Sequence, residues 1–146
     1  MWYAPEDDIQ DEIDFHSASF GNIQPCFGHF TQLKSLSLLN LWGDMAPWPA
    51  CIAELLVRNR HLEQLSLSIS EDAIARAEYD RDLDPDERPT FLLFEDICHI
   101  YRQTSELSPL ALRTLRLGDG IHFPEAERLR GVVDVAVLQD IFIYNG

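Results

Sequence analysis

One pattern of apolar positions recurs along the chain, and we call it the repeated phrase. An apolar residue is followed at the third position by a second and, two positions later, by a third. The four copies are Leu33-x-x-Leu36-x-Leu38, Leu62-x-x-Leu65-x-Leu67, Leu112-x-x-Leu115-x-Leu117 and Leu138-x-x-Ile141-x-Ile143. The last two apolar positions flank a polar residue in the first three copies and Phe142 in the fourth. This alternation is typical of a β-strand that buries one face. We therefore predict strands at about residues 35–39, 64–68, 113–118 and 140–144.

Helical spacing of apolar residues follows the first three predicted strands. Pro49 suits the first turn of a helix, and Ile52, Leu55 and Leu56 then recur at intervals of three to four residues. This spacing predicts a helix over residues 49–59. The same reasoning predicts a short helical turn at 21–31 and helices at about 90–103 and 124–130.

The repeated phrase with an intervening helix is typical of a leucine-rich repeat, in which strand-and-helix units stack into a curved solenoid. Successive copies begin 29, 50 and 26 residues apart, and the usual repeat length is about 20–29 residues. The excess in the second interval falls in the charged stretch 71–90, which we predict to be an inserted acidic loop. The sequence thus predicts an α/β solenoid of about four irregular repeats over residues 21–146. Its parallel sheet would lie on the concave side and its helices on the convex side.

The two ends of the chain depart from the pattern. Residues 1–20 contain six acidic residues, no Lys or Arg, and no sustained periodicity. We predict that they form a flexible acidic segment, or the remnant of an upstream repeat. The last copy of the phrase is not followed by the polar cap that a terminal repeat normally carries. We expect either a piece of a longer array, which we favour, or an end that a partner covers.

The net charge of −14 narrows the range of partners. Residues 1–20 and 71–90 hold 14 of the 25 acidic residues. A phosphate backbone would be repelled by this charge, so we expect no nucleic-acid partner. The sequence contains neither a run of about 18 apolar residues nor a signal peptide, so we expect an intracellular protein, cytoplasmic or nuclear, with no membrane partner. Cys26, Cys51 and Cys98 are interpreted as small buried hydrophobic residues in a reducing compartment.

The residues that alternate with the buried positions predict a binding surface. They form three rows across the four strands: Ser35, Gln64, Thr114 and Asp140; Ser37, Ser66, Arg116 and Phe142; Leu39, Ser68, Gly118 and Tyr144. Arginine and aromatic residues are the types that anchor protein interfaces. We predict a protein-binding surface of Arg116, Phe142 and Tyr144 together with Gln64, Thr114 and Asp140. Ordinary solvent-exposed surface is the alternative.

Two tryptophans flank a loop rich in Gly and Pro after the first predicted strand. We predict that Trp42 and Trp48 fold back and close the end of the core. The alternative is an exposed aromatic patch that anchors a partner.

Motifs for metal binding and catalysis fit poorly. The run Asp80-x-Asp82-x-Asp84-x-Asp86 resembles a calcium loop, but Pro85 stands at the sixth position and Phe91 at the twelfth, where an EF-hand requires Gly and Glu. A weak cation site there is the alternative to a solvated acidic loop. Cys26-x-x-His29 and Cys98-His99 lack a second C-x-x-C for zinc. The sequence contains no phosphate-binding glycine motif and no Cys or Ser in a glycine-flanked turn of the kind that holds a catalytic nucleophile. We therefore predict no enzyme, no cofactor and no metal site.

The residues of the repeated phrases resemble those of a known protein family. Leu-Lys-Ser-Leu-Ser-Leu, Leu-Arg-Thr-Leu-Arg-Leu-Gly and the closing Leu-Gln-Asp-Ile-Phe-Ile-Tyr-Asn, with the irregular spacing and charged insertion, resemble the repeat region of fungal F-box/leucine-rich repeat proteins. The resemblance covers about residues 20–146. In that family an F-box docks on an SCF-type ubiquitin ligase and the repeats hold the substrate.

The resemblance implies the substrate-recognition part of a ubiquitin ligase adaptor, with an unknown protein as its partner. Residues 1–20 contain no Leu-Pro signature of an F-box, so the ligase scaffold is a partner only if a longer parent chain supplies one. A truncated or decayed gene product without independent activity is the alternative, and a metal-binding or enzymatic domain is a distant one.

Overall fold

The computed structural model describes residues 12–15, 32–43, 46–81, 91–104, 109–118 and 120–143. In these ranges the chain is a mixed α/β structure with one parallel sheet. The strands follow one another in the sheet in chain order. They are β1 (Glu12–Phe15), β2 (Ser35–Leu41), β3 (Gln64–Ile69), β4 (Thr114–Leu117) and β5 (Asp140–Ile143). The helices are α1 (Trp48–Arg58), α2 (Glu71–Arg81), α3 (Leu93–Thr104) and α4 (Ala126–Arg130).

All four predicted strands are confirmed, and their register aligns the copies of the repeated phrase. The second apolar positions are direct partners across the sheet: Leu36 pairs with Leu65, Leu65 with Leu115, and Leu115 with Ile141. The third apolar positions pair in the same way. Since a slip of one residue would turn every leucine to the other face, this register keeps the apolar positions together.

One hydrogen-bond arrangement recurs at the start of β3, β4 and β5. The carbonyl oxygen at the second position of a phrase accepts two N–H groups from the next phrase. Lys34 O accepts from Glu63 N at 2.7 Å and from Gln64 N at 3.0 Å. Glu63 O and Arg113 O each accept two N–H groups in the same way from the phrases that follow. The equivalent positions therefore have equivalent backbone surroundings.

The helices predicted at 49–59, 90–103 and 124–130 are confirmed as α1, α3 and α4. Pro49 lies in the first turn of α1, and the acidic Glu95 and Asp96 lie in the first turn of α3, where they suit the helix dipole. α1 packs against α3, and α3 against α4. Of the helices in the described ranges, none has the length and apolar character needed to cross a membrane.

The core lies between the sheet and this helical layer. The strand leucines share one buried cluster with residues of all four helices, among them Ile52, Ile74, Phe94 and Leu129. At about 25 cal/mol per Å² of apolar surface removed from water, burial of these side chains is the main stabilising contribution. The other face of the sheet carries the alternating residues, which are mostly polar and include Phe142.

The prediction of a loop throughout residues 71–90 is wrong for its first half. Glu71–Arg81 forms α2. The hydroxyl of Ser70 accepts a hydrogen bond from Ala73 N at 3.1 Å, which caps the helix, and Glu71 and Asp72 lie in its first turn. Ile74 is buried against the core. The high charge suggested a loop, yet the segment forms a capped helix in which Ile74 is buried. Residues 82–90 lie outside the described part of the chain.

The prediction of a flexible segment at residues 1–20 is wrong for residues 12–15. Glu12–Phe15 forms β1, which pairs with β2 so that Ile13 stands opposite Leu36 and Phe15 opposite Leu38. The position equivalent to Leu33 is Gln10, and a polar residue there kept the phrase from being recognised. The helical turn predicted at 21–31 lies outside the described residues.

Candidate functional site

The first two predicted rows of outward residues are confirmed by the strand register. In the first row Gln64 pairs with Thr114, and Thr114 with Asp140. In the second, Ser66 pairs with Arg116, and Arg116 with Phe142. Residues directly opposite one another on parallel strands bring their side chains together. The structure therefore assembles five of the six predicted site residues into one patch, which we call the β3–β5 surface: Gln64, Thr114, Arg116, Asp140 and Phe142.

The centre of the β3–β5 surface is a stacked pair. The guanidinium carbon of Arg116 lies 5.0 Å from the ring centroid of Phe142, within the range of a cation–π interaction. Arg116 is exposed and the side chain of Phe142 is 39% exposed. The pair presents an apolar ring and a cation to solvent, and Gln64 and Asp140 beside it are exposed too. Such an arrangement can contact both an apolar side chain and a carboxylate.

The third row is interrupted at β2 and β3. The register shifts between Leu38 and Leu41, and Asn40 adopts a φ of 55°. The N–H of Asn40 donates to the hydroxyl of Ser68 at 2.8 Å, so Ser68 stabilises the bulge. Further along the row, a Cβ on Gly118 would lie 2.6 Å from the Cβ of Ser68, so only glycine fits. Tyr144, predicted for the binding surface, lies outside the described residues.

The two tryptophans have different environments. Trp48 is fully buried in the core, as predicted. Trp42 is 44% exposed, so the prediction that both fold back is wrong for Trp42. The two side chains differ in burial because of where they lie. Trp48 begins α1, which packs on the core, whereas Trp42 follows the bulged end of β2.

A charged pair beside the surface was missed by sequence reasoning. Glu63 and Arg113 occupy the same position of successive phrases, and Arg113 Nε lies 3.5 Å from Glu63 Oε1. Lys34 holds the equivalent position in the preceding phrase. The alternation of positive and negative charge at that position of successive phrases could have indicated this ion pair. Because the pair is exposed, it contributes at most about 1 kcal/mol to stability.

The candidate metal residues are not assembled into a site where the structure describes them. Cys98 is buried in the core while its neighbour His99 is exposed, so the two diverge. Burial, with a smaller effect of the Glu95 charge, raises the pKa of the Cys98 thiol to about 12, which leaves it a neutral, unreactive group. Within the described ranges no three His, Cys, Asp or Glu side chains are grouped to hold a metal. Cys26, His29 and residues 82–86 lie outside those ranges, and the side chain of Asp80 is not described.

A polar cavity in the helical layer was also missed by sequence reasoning. It has a volume of about 380 Å³ and is lined by His99, Arg102, Gln103 and Arg128. Arg128 Nη1 lies 2.6 Å from Glu95 Oε1, an ion pair that joins α4 to α3. Arg102 and Arg128 are 26 residues apart in the sequence and share no motif, so only the packing of the two helices brings them together.

Comparisons of the chain with protein-family models, with curated proteins and with solved structures found no match.

Proposed function

We propose that the chain is a leucine-rich-repeat-like solenoid that binds another protein through the β3–β5 surface. Three features support the repeat architecture: the phrases are in register, the same carbonyl arrangement starts three strands, and helices separate them. Units of this kind share their burial with neighbours and present a continuous sheet face to partners.

The stacked pair of Arg116 and Phe142 is the observation that carries the proposal. Arginine and aromatic side chains dominate the energetics of protein interfaces, because they bury a large area and also offer hydrogen bonds or π contacts. Cation–π stacking restrains the guanidinium before a partner arrives, so less side-chain entropy is lost on binding. The small residues Ser37 and Ser66 continue the row and leave space beside the pair.

The proposed partner is a protein, and the wider role is substrate recognition for a ubiquitin ligase inside the cell. That role rests on the resemblance of the phrases to fungal F-box/leucine-rich repeat proteins. It requires an F-box from a longer parent chain or from another subunit. The proposed role is binding and not catalysis, since the features of the β3–β5 surface serve recognition.

Site-specific crosslinking tests the proposal. A photoreactive p-benzoylphenylalanine in place of Phe142 would be compared with the same probe in place of Ala50, an exposed residue of α1 in the helical layer. In an extract of the source cells, we expect a discrete protein adduct at position 142 and none at position 50. Adding Arg116→Ala should weaken the adduct at least about fivefold, a typical loss for an interface anchor.

The controls separate binding from folding. Arg130→Ala removes an exposed cation from α4 and should leave the adduct at position 142 unchanged. Equal adducts at positions 142 and 50, or none at either with a folded protein, would reject the β3–β5 surface as the binding site. A discrete adduct whose partner belongs to no ubiquitin ligase pathway would reject the ligase role alone.

A further inference from the structure

We propose that the cavity between α3 and α4 binds a small soluble phosphate monoester, held by Arg102, Arg128 and His99. This inference concerns the helical layer and does not depend on the function proposed for the sheet surface. The guanidinium groups of Arg102 and Arg128 and the imidazole of His99 line one open cavity of about 380 Å³, with the amide of Gln103 beside them. All four residues are exposed. Ligand sites for small molecules begin at about 300 Å³.

The charge of the cavity is opposite to that of the whole chain. The net charge is −14, yet Arg102 and Arg128 contribute two cations to the lining and no carboxylate belongs to it. Glu95 is engaged by Arg128, and no described carboxylate lies within ion-pair distance of Arg102. A phosphate monoester carries close to two negative charges at neutral pH. Arg102 would supply a full positive charge to it, and Arg128 a charge that it shares with Glu95.

Both arginines are exposed, and each contacts a neighbouring group. The stem of Arg102 packs on Gly131, where an added Cβ would lie 2.6 Å from Arg102 Cδ and 2.8 Å from Nε. Glycine at 131 therefore leaves the space that this stem occupies. Arg128 is held by Glu95 at 2.6 Å. Such contacts limit the conformations of the two side chains and reduce the entropy that they would lose on binding an oxyanion.

The arrangement suits a tetrahedral anion better than a planar one. His99 and Arg102 lie one turn apart on α3, and Arg128 approaches from α4. A carboxylate has two oxygens in a plane, whereas a phosphate presents three oxygens in different directions to donors on two helices. An anionic bilayer would repel a chain of net charge −14, which favours a soluble molecule over a lipid headgroup.

Calorimetric titration of the full chain tests the proposal, with glycerol 3-phosphate as the ligand and glycerol as the unphosphorylated control. We expect one saturable site for glycerol 3-phosphate and none for glycerol. Arg102→Gln should weaken binding at least about tenfold, the loss expected for a charge-assisted contact. Arg76→Gln removes the same charge from an exposed position of α2 and should leave the affinity unchanged.

Several results would overturn the proposal. One is the absence of saturable glycerol 3-phosphate binding at concentrations up to about 10 mM, where weak sites are still detected. Another is an equal loss of affinity in Arg102→Gln and Arg76→Gln. Binding only to phosphatidic acid vesicles would overturn the soluble ligand. Circular dichroism shows whether Arg102→Gln is folded. If it is not, His99→Gln, an exposed change, takes its place, and an affinity equal to that of the unchanged chain would count against the site.

Discussion

The centre and the C-terminal edge of the sheet contain the same phrase in different surroundings. Leu65 in β3 and Leu115 in β4 are fully buried. Ile141 in β5, which stands in register with them, is 45% exposed, and Ile143 is 41% exposed. In the described part of the chain, β5 pairs only with β4. An apolar residue of a central strand is therefore buried by the strands on both of its sides, whereas one on β5 has a neighbouring strand on one side in the described part of the chain.

This comparison predicts that the same chemical change has very different costs in the two regions. It also predicts that the direction of a side chain matters as much as its position along the strand. The following experiments test these statements, beginning with the largest effect.

Leu65→Asp should be the most damaging substitution. It buries an unpaired carboxylate between units and should cost at least about 4 kcal/mol, enough to unfold a domain of ordinary stability. Ser66→Asp, one residue further along, faces away from the core and should cost less than about 0.5 kcal/mol. Urea unfolding followed by circular dichroism compares the two variants. Similar costs would show that the strand register is wrong.

Truncation to alanine measures the difference between centre and edge directly. Leu115→Ala should lower the free energy of unfolding by about 2–5 kcal/mol, through lost transfer energy and the cavity that remains. Ile141→Ala removes atoms that are already half exposed, and should cost about 1 kcal/mol or less. Thermal and urea unfolding of both variants provide the comparison. Equal losses would mean that β5 is covered as completely as β4.

The buried amide of Asn59 connects α1 to the strand segment that precedes it. Its Oδ1 accepts the N–H of Leu33 at 2.7 Å, and its Nδ2 donates to Leu55 O at 2.8 Å, so it links the end of α1 to the start of the preceding phrase. Asn59→Ala leaves these groups without that partner and should cost about 1–3 kcal/mol. Gln103→Ala, at an exposed site, is the control and should change stability by less than about 0.5 kcal/mol.

Alkaline pH should weaken the centre through Cys98. Burial raises the pKa of this thiol from 9.0 to about 12. Between these values the unfolded chain releases the thiol proton and the folded chain keeps it. Stability therefore falls as pH rises above about 9, by about 1.4 kcal/mol for each unit from this group. Below pH 9 both states hold the proton and the contribution of Cys98 is constant.

Cys98→Ala separates this thiol from other groups that titrate in the same range. The loss of stability from pH 9 to 10, measured by urea unfolding, should be smaller in Cys98→Ala than in the unchanged chain. The remaining slope includes Cys51, whose pKa burial and the Glu54 charge raise to about 11. It also includes Tyr101, whose pKa is raised by burial. An identical slope in both proteins would show that Cys98 is accessible to water in the folded state.

Sequence periodicity was sufficient for the elements with a clear apolar pattern. The four phrase strands and three helices lie where the spacing predicts them, because their burial requires apolar residues at regular intervals. It failed for α2 and β1, which lie in strongly acidic segments of the chain. α2 is anchored by Ile74 and capped by Ser70, and β1 pairs through its backbone in a segment whose acidity suggested flexibility.

The two candidate sites also differ in how far the sequence could predict them. The β3–β5 surface was predictable because a strand alternates at every residue, so its members follow from the phrase alone. The pairing of Arg116 with Phe142 needed the register, which the repeated leucines supply. The cavity of Arg102 and Arg128 was not predictable, since no local spacing relates residues on two separate helices.

By itself the sequence determined which residues face the core, since the repeated phrase imposes a strand with one buried side. Only the tertiary structure decided how deeply each phrase is buried, which tryptophan is exposed, and which charges meet between helices. The physical reason is that alternation along a strand is a local property of the backbone. Burial depth and charge proximity depend instead on neighbours that are distant in the chain and are brought close by packing.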